Sequence, residues 1–167
     1  DNNFAFKKSR LKVNLAYQNN LRQEFGNAED PEENELFFDL KTFNYNLQWQ
    51  LPELKEWHAT IGVNGMRQSN QNKGEESLIP EYNLFDIGGF VFVQRTFKKA
   101  TVSGGLRYDT RTINSMELIE GGDIKFNQFS RSFSNVSGSV GVSYEATDKV
   151  TLKANLARGF RSPTLAE

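Results

Sequence analysis

The sequence predicts an all-β fold, an antiparallel up-and-down meander of about seven long strands that forms part of a transmembrane β-barrel. Three observations predict it. Apolar and polar residues alternate along each run, the runs are long for strands, and the connections between them are alternately long and short. No stretch holds the roughly 18 apolar residues that a membrane helix needs. A membrane-spanning segment of this chain would therefore have to be a strand.

Composition excludes several classes of function. The formal net charge of -1 gives no electrostatic argument for binding nucleic acid. The chain has no cysteine, which excludes a disulfide framework and a thiolate metal site. The mean hydropathy of -0.61 fits a soluble protein, and it also fits barrel strands that carry a polar residue at every second position.

Each predicted strand places an apolar face opposite a polar one, because residues two apart share a face. In the second strand Phe43, Tyr45 and Leu47 alternate with threonine, asparagine and glutamine. The fourth strand is apolar on both faces, since Phe90 and Phe92 alternate with valines, so its orientation stays open. The seven predicted strands cover residues 11–18, 42–51, 57–64, 86–96, 101–109, 136–144 and 150–156.

Aromatic residues on the apolar faces lie near the strand ends, where barrels place girdles at the membrane interface. Such residues are equally at home in the core of a soluble β-sandwich. A soluble sandwich that serves as a binding module, of a carbohydrate-binding or adhesin-like kind, is therefore the alternative. The girdle candidates are Tyr17, Trp49, Trp57, Tyr108 and Tyr144.

The connections favour the barrel. Long polar connections cover residues 19–35, 68–83 and 114–131, and short ones cover 52–56, 97–99 and 146–149. Outer-membrane barrels have long loops outside the cell and short turns in the periplasm. Sandwiches with Greek-key connections rarely keep this rhythm.

Several segments resemble one family. They are NNLRQEF at 19–25, LIPEYNLFDIGGFVF at 78–92, SGGLRYDTR at 103–111, and the stretch from 133 to 167 that ends in ARGFRSPTLAE. The segments are similar to TonB-dependent outer-membrane receptors of Gram-negative bacteria, including those of the Bacteroidetes type. The resemblance spans most of the chain. Its most specific parts are GLRYD and the terminal arginine-glycine-phenylalanine-arginine-x-proline motif.

The resemblance implies a function and a place in a larger protein. It implies a position in the middle of a barrel of roughly 22 strands in the outer membrane. Such receptors actively import a scarce, bulky nutrient, most often a ferric siderophore or another iron complex, with energy from the TonB complex. Residues 1–167 are then a partial barrel domain, since residues 1–10 resemble neither the plug domain nor the TonB box. A structural outer-membrane β-protein without a transport cycle would share these periodicities.

The resemblance also gives the terminal motif a role. We expect its two arginines to anchor the loop to the lumen or the plug through charge-assisted hydrogen bonds, at the outer rim of the barrel. Ligand capture is expected in the long loops, without assignment to individual residues. The motif residues are Arg158, Gly159, Phe160, Arg161 and Pro163.

Other candidate sites are few. His58 is the only histidine and is predicted to lie in the lumen or at the rim without a metal, because metal sites need clustered ligands. The acidic run at 29–35 is predicted to be a solvated loop, and residues 73–76 a plain surface turn. The pair Gly121 and Gly122 suits a loop. No Ser-His-Asp or Cys-His set can be built, no cofactor is implied, and we expect no enzyme.

An isolated chain of this kind would expose two edge strands and an apolar face to water. An open meander leaves unpaired backbone groups on two edge strands and an apolar face that outer-membrane lipid would cover in the barrel. We expect the isolated chain either to self-associate through its strand edges or to curl with the apolar face inward.

Overall fold

A computed structural model describes residues 2–26, 35–159 and 161–163. None of these residues forms a helix long and apolar enough to cross a membrane. The strands are β1 (Asn2–Ala5), β2 (Arg10–Glu24), β3 (Leu36–Gln50), β4 (Trp57–Asn72), β5 (Tyr82–Phe97), β6 (Ala100–Ser115), β7 (Leu118–Glu120), β8 (Asp123–Phe126), β9 (Phe129–Thr147) and β10 (Val150–Arg158).

Eight of these strands form one open antiparallel sheet in the order β1-β2-β3-β4-β5-β6-β9-β10. Each large strand pairs with the next large strand along the chain, which confirms the predicted meander. Strands β7 and β8 form a separate hairpin within the connection from β6 to β9. Within the described residues no second sheet packs on the large one, so the soluble-sandwich alternative is wrong.

The seven predicted strands are all present, and most extend beyond their predicted bounds. The long connections are shorter than predicted and cover residues 25–35, 73–81 and 116–128. The short connections have two to six residues and cover 51–56, 98–99 and 148–149. The alternation of long and short connections is thus confirmed. The prediction of seven strands missed three: β1, which pairs with residues 10–13 at one edge of the sheet, and the short strands β7 and β8 inside the connection predicted at 114–131.

The strand register separates two faces, since residues paired across antiparallel strands point to the same side. We call the apolar side the outer face and the polar side the lumen face. The register places Val91 of β5 on the outer face and both Phe90 and Phe92 on the lumen face, which settles the orientation of the fourth predicted strand. One outer-face row joins Leu11, Trp49, Ile61, Val91 and Leu106, and one lumen-face row joins Asn14, Asn46, Asn64, Gly88 and Asp109.

The outer face is exposed in this chain. Leu106, Leu152 and Leu156 are 62%, 60% and 76% exposed. The expectation that the chain curls with its apolar face inward is therefore wrong, because the backbone ladder fixes a broad sheet with that face uncovered. Self-association through the edge strands β1 and β10 stays a prediction. The most buried apolar side chains, Leu84 and Ile113, lie instead on the lumen face.

Candidate functional site

The lumen face carries a cavity of about 550 Å³. Strands β2 to β6 each contribute to its wall, because their lumen-face side chains line up in register across the sheet. The polar residues that define its chemistry are Asn14, Asn44, Asn64, Asp86, Arg107, Asp109 and Arg111. Amide groups and two ion pairs thus face the space that a barrel encloses.

The first ion pair joins neighbours on β6. Arg107 and Asp109 are two residues apart and share the lumen face, and Arg107 Nε donates to both Asp109 carboxylate oxygens at 2.7 Å. Arg107 Nη2 also reaches across β5 and donates to Asn64 Oδ1 on β4 at 2.6 Å. The pair is therefore fixed to the wall at both ends.

Gly88 on β5 makes this crossing possible. A Cβ at that position would lie 2.1 Å from Asp109 Oδ1 and 2.3 Å from Arg107 Nη2. These distances are too short for any real Cβ contact, so a side chain there would displace the ion pair. A glycine in a strand often marks such a close approach.

The second ion pair joins β5 and β6. Asp86 and Arg111 are direct partners in the register, and the guanidinium donates through Nε and Nη2 to the two carboxylate oxygens at 2.7 and 2.6 Å. Both side chains are 21% exposed. A two-pronged arginine–carboxylate contact of this kind fixes orientation as well as charge. Together the two pairs place two positive and two negative charges on the cavity wall.

The lumen face nearer the long connections is closely hydrogen-bonded. Gln68 Nε2 donates to Thr42 Oγ1 at 3.0 Å, and Tyr82 OH donates to Gln68 Oε1 at 3.0 Å. Asn72 Nδ2 donates to the carbonyl of Ile79 in the connection from β4 to β5 at 2.7 Å. This long connection is thus held against the wall from which it leaves.

The terminal motif leaves the sheet partway along the wall. Strand β10 ends at Arg158, paired with Gly138, whereas residues 129–137 of β9 continue toward the end with the long connections. Ser162 lines the lumen-face cavity. The position of the motif at the outer rim stays a prediction.

Of the motif residues, only Arg158 belongs to a strand whose register assigns it to a face. Arg158 is paired with Gly138, which places it at an outer-face position in the row of Leu106. Pro163 is partly buried, and Arg161 and Gly159 are exposed. Phe160 lies outside the described residues. The anchoring role of the motif stays a prediction.

The remaining candidates from the sequence have few charged or polar neighbours in the structure. His58 is exposed, with Nε2 3.9 Å from Glu53 Oε2. The acidic run at 29–35 lies outside the described residues except for Glu35. No group of three or more histidine, cysteine, aspartate or glutamate side chains within the described ranges could hold a metal ion. Gly121 and Gly122, both with positive φ, form the turn of the β7–β8 hairpin.

Sequence reasoning missed two charged groups. The turn at 73–76 was predicted to be plain surface, but Lys73 Nζ lies 2.6 Å from Asp39 Oδ2. The partnership of Asp86 with Arg111 was also missed, because the two residues are 25 positions apart and only the register brings them together. The signal in the sequence that could have indicated this ion pair was one charged residue on the polar face of each of two consecutive strands, Asp86 on β5 and Arg111 on β6.

Comparison with known proteins identifies the family. The model of the TonB-dependent receptor-like β-barrel matches residues 1–167. The chain belongs to the TonB-dependent receptor family. Members of this family are located in the outer membrane of Gram-negative bacteria, so the outer face of the sheet contacts lipid.

A solved structure shows the same fold. The chain is similar to the copper transporter OprC, with 17% sequence identity and a TM-score of 0.69 over 93% of this chain and 29% of that one. The chain thus spans less than a third of the OprC chain. At this identity the likeness concerns the fold alone. No curated protein matches the sequence.

Proposed function

We propose that the protein containing this chain is an active importer that takes up a scarce, bulky nutrient across the outer membrane with energy from the TonB complex. The observation that carries the proposal is the family match over residues 1–167. Because the chain spans 29% of the OprC chain, the plug domain and the contact with TonB belong to the proposal for the whole receptor.

The proposed substrate is a ferric siderophore or another iron complex. The long connections would capture it, and the wall described above would border its path once the plug moves. A wall of amides and neutralised ion pairs supports this, because it can hydrogen-bond a large polar complex without binding it too tightly to release. Arg107 and Arg111 each retain N–H groups, since a guanidinium has five donors.

An uptake assay tests both levels of the proposal. Cells with the intact receptor, cells without it and cells without functional TonB would be given radiolabelled ferric siderophore or radiolabelled copper. We expect ferric siderophore to accumulate only when the receptor and TonB are both present. Copper uptake with the same dependence would overturn the iron substrate and keep the transporter. Uptake that is indifferent to TonB would overturn the transport mechanism itself.

A further inference from the structure

We propose that the periplasmic end of the wall carries a docking surface for an acidic polypeptide segment, centred on Lys7, Lys8 and Arg10. These residues lie in and beside the turn between β1 and β2, next to the short turn between β3 and β4. The proposal rests on the membrane orientation stated above, with the short connections in the periplasm, and not on the identity of the substrate.

A cavity of about 490 Å³ lies at this end of the sheet. Residues from both of these turns line it, together with lumen-face residues of β2, β3 and β4. Arg10, Gln50 and Thr60 line the cavity and form one register row across these three strands. The cavity therefore opens on the lumen side of the sheet and not on the side that contacts lipid.

The turn between β1 and β2 brings two lysines to the cavity. Phe6 N donates to the carbonyl of Ser9 at 2.8 Å, which closes the turn around Lys7 and Lys8. Both lysines line the cavity, and Arg10 follows them on the lumen face. Among the residues that the structure describes, none provides an ion pair or a hydrogen bond to these three exposed side chains. Their N–H donors are thus available to an external acceptor.

Nearby carboxylates do not neutralise these cations. Glu53 lines the cavity, with its Oε2 3.9 Å from His58 Nε2. Glu56 Oε2 accepts from Arg95 Nη2 at 3.0 Å. Lys12 adds a further cation on the lumen face of β2.

The excess of cations extends over the whole periplasmic end. The four short turns and the adjoining strand residues contain ten lysines and arginines but only four acidic residues. The connections at 73–81 and 116–128, at the opposite end, contain two basic and six acidic residues. Charge complementarity therefore favours an anionic partner at the periplasmic end. The segments counted there are residues 6–12, 51–60, 94–99 and 143–153.

The width of this surface favours a polypeptide over a single small anion. Four strand spacings of about 4.8 Å separate β2 from β6, so the lysines of the turns at 6–9 and 98–99 are about 19 Å apart. Six residues of extended chain have about this length. A segment with several carboxylates can therefore contact both turns at once. A lipid is disfavoured, because Arg10 and the cavity lie on the lumen face.

The test is binding of a hexaglutamate peptide with an uncharged fluorescent label to the whole receptor in uncharged detergent, measured by fluorescence anisotropy. Each exposed cation that contacts a carboxylate contributes about threefold in affinity. We therefore expect K7Q/K8Q to weaken binding about tenfold and R10Q about threefold. K98Q/K99Q is expected to weaken it about threefold, since Glu145 beside Lys99 offsets part of that charge.

The matched control is K149Q/K153Q, which removes two lysines from the β9–β10 hairpin at the same end of the wall. Glu145 and Asp148 balance these lysines, and six strand spacings separate β10 from β2. Binding should change less than about twofold, because a distance of about 29 Å exceeds the screening length of about 10 Å. Equal losses in the control, or no binding by the wild-type receptor, would overturn the surface.

Competition distinguishes the kind of partner. Hexaglutamine should not displace the bound peptide. Displacement by inorganic phosphate at an equal concentration of charge would overturn the peptide in favour of a small anion. Displacement by phosphatidylglycerol added to the detergent micelles would overturn it in favour of a lipid.

Uptake of radiolabelled ferric siderophore separates this proposal from the transport function. Peptide binding without TonB-dependent uptake would support the docking surface and overturn the importer. Uptake without peptide binding would overturn the docking surface alone.

Discussion

The charged groups on the two faces of the sheet differ in balance. On the lumen face Arg107 pairs with Asp109 and Arg111 pairs with Asp86, so positive and negative charges cancel. On the outer face the single carboxylate of Asp39 is shared by two lysines. Both groups are held by neighbouring elements, and they differ in the number of cations that share one carboxylate.

This difference predicts different responses to substitution. The paired charges on the lumen face hold the wall in place and present a neutral surface to the lumen, whereas Asp39 on the outer face has two lysine partners. Removing one partner should therefore harm stability most on the lumen face, where each charge has a single ionic partner, and least where one carboxylate has two.

The largest effect is expected for Asp86→Asn. The substitution leaves the largely buried guanidinium of Arg111 without its carboxylate and should lower the free energy of unfolding by about 2 kcal/mol, which is less than for a fully buried pair. Urea-induced unfolding of the purified receptor in detergent measures it. Glu24→Gln is the control, because its partner Arg22 is highly exposed, and it should cost less than about 0.5 kcal/mol. Equal costs would mean that the lumen pair is no more than a surface contact.

A smaller effect is expected for Gly88→Ala. The new methyl group would displace the ends of the Asp109 and Arg107 side chains and should cost about 1 kcal/mol of stability, since the displacement disturbs their contacts with each other and with Asn64. Gly89→Ala is a control one residue away, since a Cβ there has its nearest neighbour at 3.9 Å. It should change stability by less than about 0.5 kcal/mol in the same unfolding measurement. The ion-pair account fails if the two substitutions behave alike.

The group formed by Asp39, Lys41 and Lys73 on the outer face should show redundancy. Either K41Q or K73Q alone leaves Asp39 with one ammonium partner and should lower the free energy of unfolding only slightly. The double variant leaves the carboxylate without an ammonium partner and should cost more than the sum of the two single substitutions. A double-mutant cycle of unfolding free energies measures this coupling, and D39N in the double background should restore most of the loss. Additive costs would show that the lysines act independently.

The smallest effect is expected for His58→Gln. Its side chain is exposed and only 3.9 Å from that of Glu53, so stability should change by less than about 0.5 kcal/mol. Siderophore uptake at neutral pH should be unaffected. A clear loss of uptake would give this histidine a role that its surroundings do not indicate.

Much of the fold could be predicted from the sequence because the apolar face has a period of two. The strand ends could not, since above the apolar band the outer face becomes polar as well, as at residues 67, 69 and 71 of β4 and at 110, 112 and 114 of β6. The orientation of β5 was also ambiguous in the sequence, because its lumen face carries the apolar residues Phe90 and Phe92. Phe90 lies on the lumen face because Gly62 beside it leaves room for the ring, where a Cβ would be 2.5 Å from Phe90 Cε1.

The candidate site was less predictable. The sequence shows Asp86, Arg107 and Arg111, but their partners depend on the register of three strands and on the space above Gly88. The rim position of the terminal motif was inferred from loop rhythm, which gives the direction of a strand and not the residue at which pairing stops. In the structure pairing stops at Arg158.

The assignment of lipid to one face and lumen to the other is tested most directly by a nitroxide scan along β4. Single cysteines would be introduced at residues 59, 60, 61, 63 and 64 of the whole receptor with any other cysteines removed, labelled, and reconstituted into bilayers. Accessibility to oxygen, which concentrates in lipid, should be high at 59, 61 and 63 and low at 60 and 64. The reverse phase, or no alternation along the strand, would contradict the account.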